Sequence, residues 1–303
     1  MKSKRLLVKI LSALLVSTSA HAATPFIDPM FAFTVEKDIV FAKGDVGYPE
    51  KTGEMDLKLD LYRPVANDQL PETLPAMVFV FGGGFKKGSK SIGYIRDLCE
   101  HYAKRGYVTA TIDYRLIQHF ASAIENPLPS PPGLEEMGRV VTAAVQDTAS
   151  SIRWLKENAE HLKIDPQRIG VGGVSAGALN ALYVGHAEAD VLGENAEVAA
   201  VICLLGPPGF EPSLIDADDP PTFFGHGDKD KLAMMTGPYI QQLNEAKVYH
   251  EVCVAPGLAH RISSVLDTVI EGKTIRDRSV DFCFKALKLS DLVKQPTAPA
   301  KAP

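Results

Sequence analysis

The sequence predicts an α/β domain in which a mostly parallel central sheet is flanked by helices and interrupted by one small insertion. Three observations predict it. Between Ala76 and Val254, short β-rich runs alternate with helical patterns, the rhythm of a doubly wound sheet. Runs such as Ala76-Met77-Val78-Phe79-Val80-Phe81 are apolar throughout, as strands buried on both faces must be. The 303 residues, 46% hydrophobic and 23% charged, suffice for one large core.

The elements follow in order. Lys2, Lys4, Arg5 and Lys9 lead into an apolar stretch, Ile10 to Val16, and then into Ala20-His21-Ala22, so residues 1–22 read as a signal peptide cut before Ala23. The apolar run is short for a membrane anchor. Residues 23–36 form a lead-in with Pro and Phe. Met55, Leu57, Leu59 and Leu61 alternate with polar residues, which predicts a half-buried antiparallel strand. Strand 76–81, a helix over about 91–104 and strand 107–113 follow. Residues 117–138 break the alternation with Asn126-Pro127, Pro129 and Pro131-Pro132-Gly133, and are expected to form a cap or pocket wall beside the site. A helix from about 137 to 160 leads to strand 168–174 and helix 178–186. Strands near 199–205, 221–225 and 248–254 complete a domain spanning 23–288. Residues 289–303, rich in Pro, Ala and Lys, are expected to be a flexible tail.

The chemistry sits at the strand ends. Arg168 to Val174 runs into Gly173-Val174-Ser175-Ala176-Gly177 and then into a helical pattern. A G-x-S-x-G pentapeptide in that context is a nucleophile elbow, a sharp turn that lifts a serine hydroxyl above the sheet. Downstream, strand 221–225 opens into His226-Gly227-Asp228-Lys229-Asp230, and strand 248–254 into Gly257-Leu258-Ala259-His260. The order serine, acid, histidine supplies nucleophile, orienting carboxylate and base. Upstream, strand 76–81 opens into Gly82-Gly83-Gly84-Phe85, a backbone loop able to donate N–H groups to an oxyanion. Asp228 and Asp230 both remain candidates for the acid on this reading.

Phe81-Gly82-Gly83-Gly84-Phe85, Asp113-Tyr114-Arg115, Ile164-Asp165-Pro166, the elbow, His226-Gly227-x-x-Asp230 and Gly257-x-x-His260 together resemble the α/β-hydrolases of carboxylesterase and lipase type. They are close to the hormone-sensitive-lipase-like and feruloyl/acetyl-esterase-like branches. The resemblance extends from about Leu57 to Lys288. It implies the α/β-hydrolase fold, a Ser175–Asp230–His260 triad, oxyanion donors at the N–H groups of Gly83, Gly84 and Ala176, no cofactor, and hydrolysis of carboxylic esters on small molecules or polymers. Phe81 stands where the family usually carries the histidine of HGGG. Arg115 is expected to pair with a carboxylate, Asp147, beneath this loop. A prolyl-oligopeptidase-type peptidase and a non-catalytic hydrolase-like binding protein are the alternatives.

Other readings fail on the residues. Gly83 to Lys90 is not a P-loop, because Ser89 stands at the lysine position. Gly170-x-Gly172 lacks the acidic residue of a dinucleotide fingerprint. His226, Asp228 and Asp230 lack a separate partner cluster for a metal. Loss of residues 1–22 removes four basic side chains and takes the formal charge from −5 to −9, unfavourable for nucleic acid. Among the histidines, His101, His119, His161 and His186 are expected at the surface, His226 as an organiser of the acid loop, and His250 half-buried in its strand. Cys203 and Cys253 read as buried strand residues. Cys99 and Cys283 fall on helices, where a disulfide is chemically allowed in an exported protein.

Overall fold

The computed structural model describes residues 23–47, 53–119, 128, 135–186, 192–207 and 215–293. The expected signal peptide lies outside the described residues, as does most of the 117–138 segment. Eight strands form one sheet: β1 (Phe33–Val46), β2 (Gly53–Pro64), β3 (Leu74–Val80), β4 (Val108–Ile112), β5 (Ile164–Val174), β6 (Ala200–Leu204), β7 (Thr222–Gly227) and β8 (His250–Ala255). Their spatial order is β1-β2-β4-β3-β5-β6-β7-β8. β2 runs antiparallel to both β1 and β4. Every pair from β4 to β8 is parallel. This is the mostly parallel α/β-hydrolase sheet.

The central parallel strands are buried because helices cover them. All seven residues of β3 and all five of β4 and β6 are buried. Large and small side chains alternate across the central pair: a Cβ added at Gly170 would lie 2.6 Å from the Met77 sulfur, and one at Gly172 would lie 2.8 Å from the Phe79 ring. The glycines of β5 thus receive the bulk of β3, which close packing requires. The main helices are α1 (Gly93–Ala103), α2 (Glu135–Glu157), α3 (Ala159–Leu162), α4 (Ala176–His186), α5 (Gly237–Ala246), α6 (Ile262–Leu266) and α7 (Ile275–Ala286). α2 packs on α4. α1 is tied to α7 by the Tyr102 and Ser279 hydroxyls, 2.8 Å apart, and Arg105, just past the end of α1, donates to Asp277 at 2.8 Å.

Several expectations are corrected. β1 begins within the supposed lead-in. It hides from pattern reading because it is an edge strand with Glu36, Lys37 and Asp38 exposed. Its register also shifts twice, between Glu36 and Ile39 and between Val40 and Ala42, which breaks the period of two. The segment 117–138 is shorter than expected at both ends. Ile117–His119 is a 3-10 turn, and 135–138 already belong to α2. Leu289, placed by composition in a flexible tail, is fully buried and opens the 3-10 turn Leu289–Asp291. His186 is not solvated: it is 4% exposed, packs edge-on to Tyr239, and lies 3.0 Å from the Thr222 hydroxyl. The C-terminus of α4 meets the start of β7, so a polar tip finds buried partners. His101 is half-buried against Asp277. Cys99 and Cys283 are both buried free thiols, with the Cys283 sulfur 3.9 Å from the Met77 sulfur.

Candidate active site

The C-terminal edge of a parallel sheet gathers the loops that follow its strands. Four such loops meet here. The first is the elbow between β5 and α4. Ser175 has φ +57, a left-handed conformation uncommon for a residue bearing a side chain, and its N–H donates to Leu204 at 2.9 Å. The flanking glycines permit this turn. A Cβ at Gly173 would lie 2.0 Å from the Gly177 carbonyl oxygen, and one at Gly177 would lie 2.1 Å from the Val80 carbonyl oxygen. The elbow is therefore wedged directly against the end of β3.

The second and third loops bring the acid and the base. They are bonded to each other by backbone: Asp228 N–H donates to Ala255 at 3.1 Å and Lys229 N–H to Leu258 at 2.9 Å. Gly227 permits the approach, since a Cβ there would stand 2.0 Å from the Leu258 carbonyl oxygen. Asp230 is thereby buried, 1% exposed, with Oδ2 2.7 Å from Nδ1 of His260. Its Oδ1 accepts the Leu232 N–H at 3.0 Å, so both oxygens are engaged. The far ring nitrogen of His260, Nε2, lies 3.0 Å from the Ser175 hydroxyl oxygen. The structure brings Ser175, Asp230 and His260 into one hydrogen-bonded line. Asp228 is exposed. The His260 side chain is 35% exposed, so solvent and ligands reach the reactive end of the line while the acid end stays dry.

The fourth loop follows β3. Gly83 has φ +138 and Gly84 φ +62, values that favour glycine. A Cβ at Gly83 would strike the Lys87 carbonyl oxygen at 1.9 Å, whereas one at Gly84 would meet nothing within 4 Å. The loop is tight on its inner side and open on its outer side. Ala176 is the first residue of α4, so its N–H has no partner within the helix and lies at the positive end of the helix dipole. Phe81 is 1% exposed and stacks on Tyr114 with ring centroids 4.4 Å apart. An apolar contact occupies the place of the usual histidine.

Arg115 and Asp147 form the expected pair, and both are buried. The Arg115 guanidinium donates to Oδ1 at 2.7 Å and its backbone N–H to Oδ2 at 2.8 Å. Burial raises the carboxyl pKa of Asp147, against the opposing pull of Arg115. The motif beginning at Asp113 reaches the glycine loop through Tyr114, whose O–H donates to the Phe81 carbonyl oxygen at 2.9 Å. His226, expected to organise the acid loop, has Nδ1 3.1 Å from the Gly227 carbonyl oxygen. Two contributors escaped the sequence reading. Tyr94 accepts the Gly82 N–H at 3.0 Å, and Lys90 is buried between Asp38 at 2.8 Å and Asp60 at 2.5 Å, pinning the loop to β1 and β2. Neither falls in a recognisable motif, and the Lys90 partners sit on strands distant in sequence. Among the described residues there is no group of His, Cys, Asp and Glu able to hold a metal ion.

A family model described as BD-FAE matches residues 59–126 and 136–212, which covers the glycine loop, the Asp113-Tyr114-Arg115 motif and the elbow. In these residues the chain is similar to carboxylesterases, and its fold is that of the α/β-hydrolases. Among curated relatives, it is 30% identical to gut esterase 1 of Caenorhabditis elegans over 128 residues, 42% of this chain and 20% of that protein. It is 30% identical to carboxylesterase NlhH of Mycobacterium tuberculosis over 132 residues, 44% of this chain and 33% of that one. The chain therefore spans only a fifth to a third of the length of these relatives. The fold matches far more of itself in esterase 2 of Thermogutta terrifontis, solved phosphorylated by paraoxon. The TM-score is 0.59 and the identity 24%, with 85% of this chain and 92% of that one covered. His226 to Asp230 and Gly257 to His260 lie beyond the residues that the family model matches, so their meeting at Ser175 is a finding of the structure alone.

Proposed function

We propose that the protein is an exported serine carboxylic-ester hydrolase working through an acyl-serine intermediate. The observation that carries the reading is His260 bridging the Ser175 hydroxyl and the buried Asp230 carboxylate, at 3.0 and 2.7 Å. In this mechanism His260 Nε2 takes the hydroxyl proton as Ser175 attacks the ester carbonyl. Asp230 keeps the other proton on Nδ1, which leaves Nε2 free to accept, and stabilises the imidazolium that forms. The N–H groups of Gly83, Gly84 and Ala176 receive the charge that develops on the carbonyl oxygen. One such donor is worth about 3–4 kcal/mol of barrier in a dry, preorganised site. His260 then returns its proton to the leaving alcohol, and water repeats the sequence on the acyl-serine. No metal or organic cofactor takes part.

Short aliphatic acyl groups are the proposed substrates, carried on a small alcohol or a polymer. The support is the propionate-bound form of the Thermogutta esterase, 25% identical with a TM-score of 0.56. A panel of p-nitrophenyl esters of increasing acyl length, run beside acetylated xylan, feruloyl esters and a prolyl amide, tests this. Turnover highest on acetyl to butyryl esters supports the reading. Cleavage of the amide alone would instead indicate a peptidase, and silence on all of them a binding protein. Export is supported by the basic, apolar and small-residue succession of residues 1–22. N-terminal sequencing of the exported protein should begin at Ala23, and an intact Met1 in the membrane fraction would contradict it.

A further inference from the structure

The peptide joining Phe81 to Gly82 lies between two tyrosine hydroxyls. Tyr114 donates its O–H to the Phe81 carbonyl oxygen at 2.9 Å, and the Gly82 N–H donates to the Tyr94 hydroxyl oxygen at 3.0 Å. One hydroxyl therefore acts as donor and the other as acceptor on the two ends of a single peptide group, which fixes that group's rotation about the chain direction. The two tyrosines come from different elements. Tyr114 follows β4, and Tyr94 sits in the first turn of α1.

This peptide is placed where its orientation matters. A Cβ at Gly82 would lie 2.5 Å from the Val174 carbonyl oxygen and 2.8 Å from Cβ of Ser175, so Gly82 rests on the nucleophile itself. Gly83 and Gly84, the proposed oxyanion donors, follow directly at φ +138 and +62. A rotation of the preceding peptide would carry into both N–H directions. The Phe81 side chain offers no hydrogen bond to resist that rotation. Its ring is committed to Tyr114 and to Gly88, where a Cβ would approach it to 2.5 Å.

We propose that Tyr94 is a positioning residue for the oxyanion loop: its hydroxyl, by accepting the Gly82 N–H, holds the Phe81–Gly82 peptide so that Gly83 and Gly84 aim at the developing oxyanion. This rests on the reading of the site as a serine ester hydrolase. Burial raises the phenol pKa of Tyr94, so the hydroxyl stays neutral wherever the histidine base works. The contribution is indirect. Deleting an oxyanion donor outright costs about 100-fold or more, and loosening its support should cost less, about tenfold.

The test is Tyr94→Phe, which removes one oxygen and keeps the ring. Tyr102→Phe serves as the comparison, because it deletes a buried hydroxyl bonded to Ser279, away from the loop. Each is assayed on p-nitrophenyl acetate, against a trifluoromethyl ketone that forms a tetrahedral oxyanion on the serine, and for thermal midpoint. Tyr94→Phe should lower kcat about tenfold with KM within about twofold, and should weaken the ketone by the same factor as kcat/KM. Tyr102→Phe should lower the thermal midpoint and leave both kinetic readouts alone. If Tyr94→Phe changes only the thermal midpoint, as Tyr102→Phe does, the positioning role is wrong. Failure of the unmodified protein to turn over any ester, with no phosphonate adduct at Ser175, would instead overturn the underlying reading and this inference with it.

Discussion

Replacing Asp230 with Asn removes the charge from a carboxylate that is 1% exposed and keeps its size. Oδ2 lies 2.7 Å from His260 Nδ1, and Oδ1 accepts the Leu232 N–H at 3.0 Å. An asparagine must still satisfy Leu232 with its carbonyl oxygen, which turns its NH2 group toward Nδ1. An NH2 group donates, so Nδ1 must accept, and the ring proton moves to Nε2. That nitrogen faces Ser175 at 3.0 Å and can then no longer take the hydroxyl proton. The expected loss in kcat is about 10⁴-fold, or roughly 5.4 kcal/mol of barrier. Stability should change little, by about 1 kcal/mol, because both hydrogen-bonding positions stay filled. Asp228→Asn is the matched control. Its side chain is exposed, so turnover and thermal midpoint should both stay near the unmodified values. Initial rates on p-nitrophenyl acetate and thermal unfolding of both variants decide the matter. A large turnover loss in Asp228→Asn, with Asp230→Asn active, would refute the reasoning and move the acid.

Four further outcomes follow from the structure. Asp147→Ala strands the buried Arg115 guanidinium, so denaturant unfolding should show a loss of about 3–5 kcal/mol; a loss under about 1 kcal/mol would mean the pair is not structural. Phe81→His puts a polar ring in a buried, stacked place and should cost about 1–3 kcal/mol of stability while turnover changes modestly; a collapse of folding would make Phe81 a core residue first and a loop residue second. Asp277 is held well below the usual carboxylate range, chiefly by its hydrogen bond with His101 and also by Thr274 and Arg105. Its folded pKa being depressed, its contribution is complete above the unfolded value near 4 and is lost as pH falls through the folded one. The stability gap between the unmodified protein and Asp277→Asn, measured by urea unfolding, should therefore be constant at neutral pH and shrink below about pH 4. Cys203 and Cys283 are buried with thiol pKa values pushed up to about 12 by desolvation, so iodoacetamide should leave native turnover intact, and rapid inactivation would contradict the burial.

Much of this was legible because certain chemistry requires certain residues next to one another. The elbow needs small residues around Ser175, and the wedge of Gly177 against Val80 shows why no other type fits there. The central parallel strand β3 announced itself by an unbroken apolar run. β1 did not, because an exposed edge strand with two register shifts has no clean alternation. Tyr94, Lys90 and the burial of His186 stayed hidden for a different reason. Each depends on partners brought together only by the fold: Gly82 for Tyr94, Asp38 and Asp60 for Lys90, Thr222 for His186. The choice between Asp228 and Asp230 was likewise beyond composition or spacing, since two residues on a loop differ only in which one the backbone turns inward.

The central claim is that Ser175 is the nucleophile of an ester hydrolase. The most direct measurement is intact mass followed by peptide mapping after treatment with a fluorophosphonate, carried out on the unmodified chain and on Ser175→Ala. One phosphonyl group should appear per molecule, on the peptide containing Ser175, with ester turnover falling in step. The alanine variant should take up no label and keep only the small residual rate that an oxyanion loop and binding supply without a nucleophile. Label on a different residue, or an alanine variant that hydrolyses p-nitrophenyl acetate at the unmodified rate, would contradict the claim.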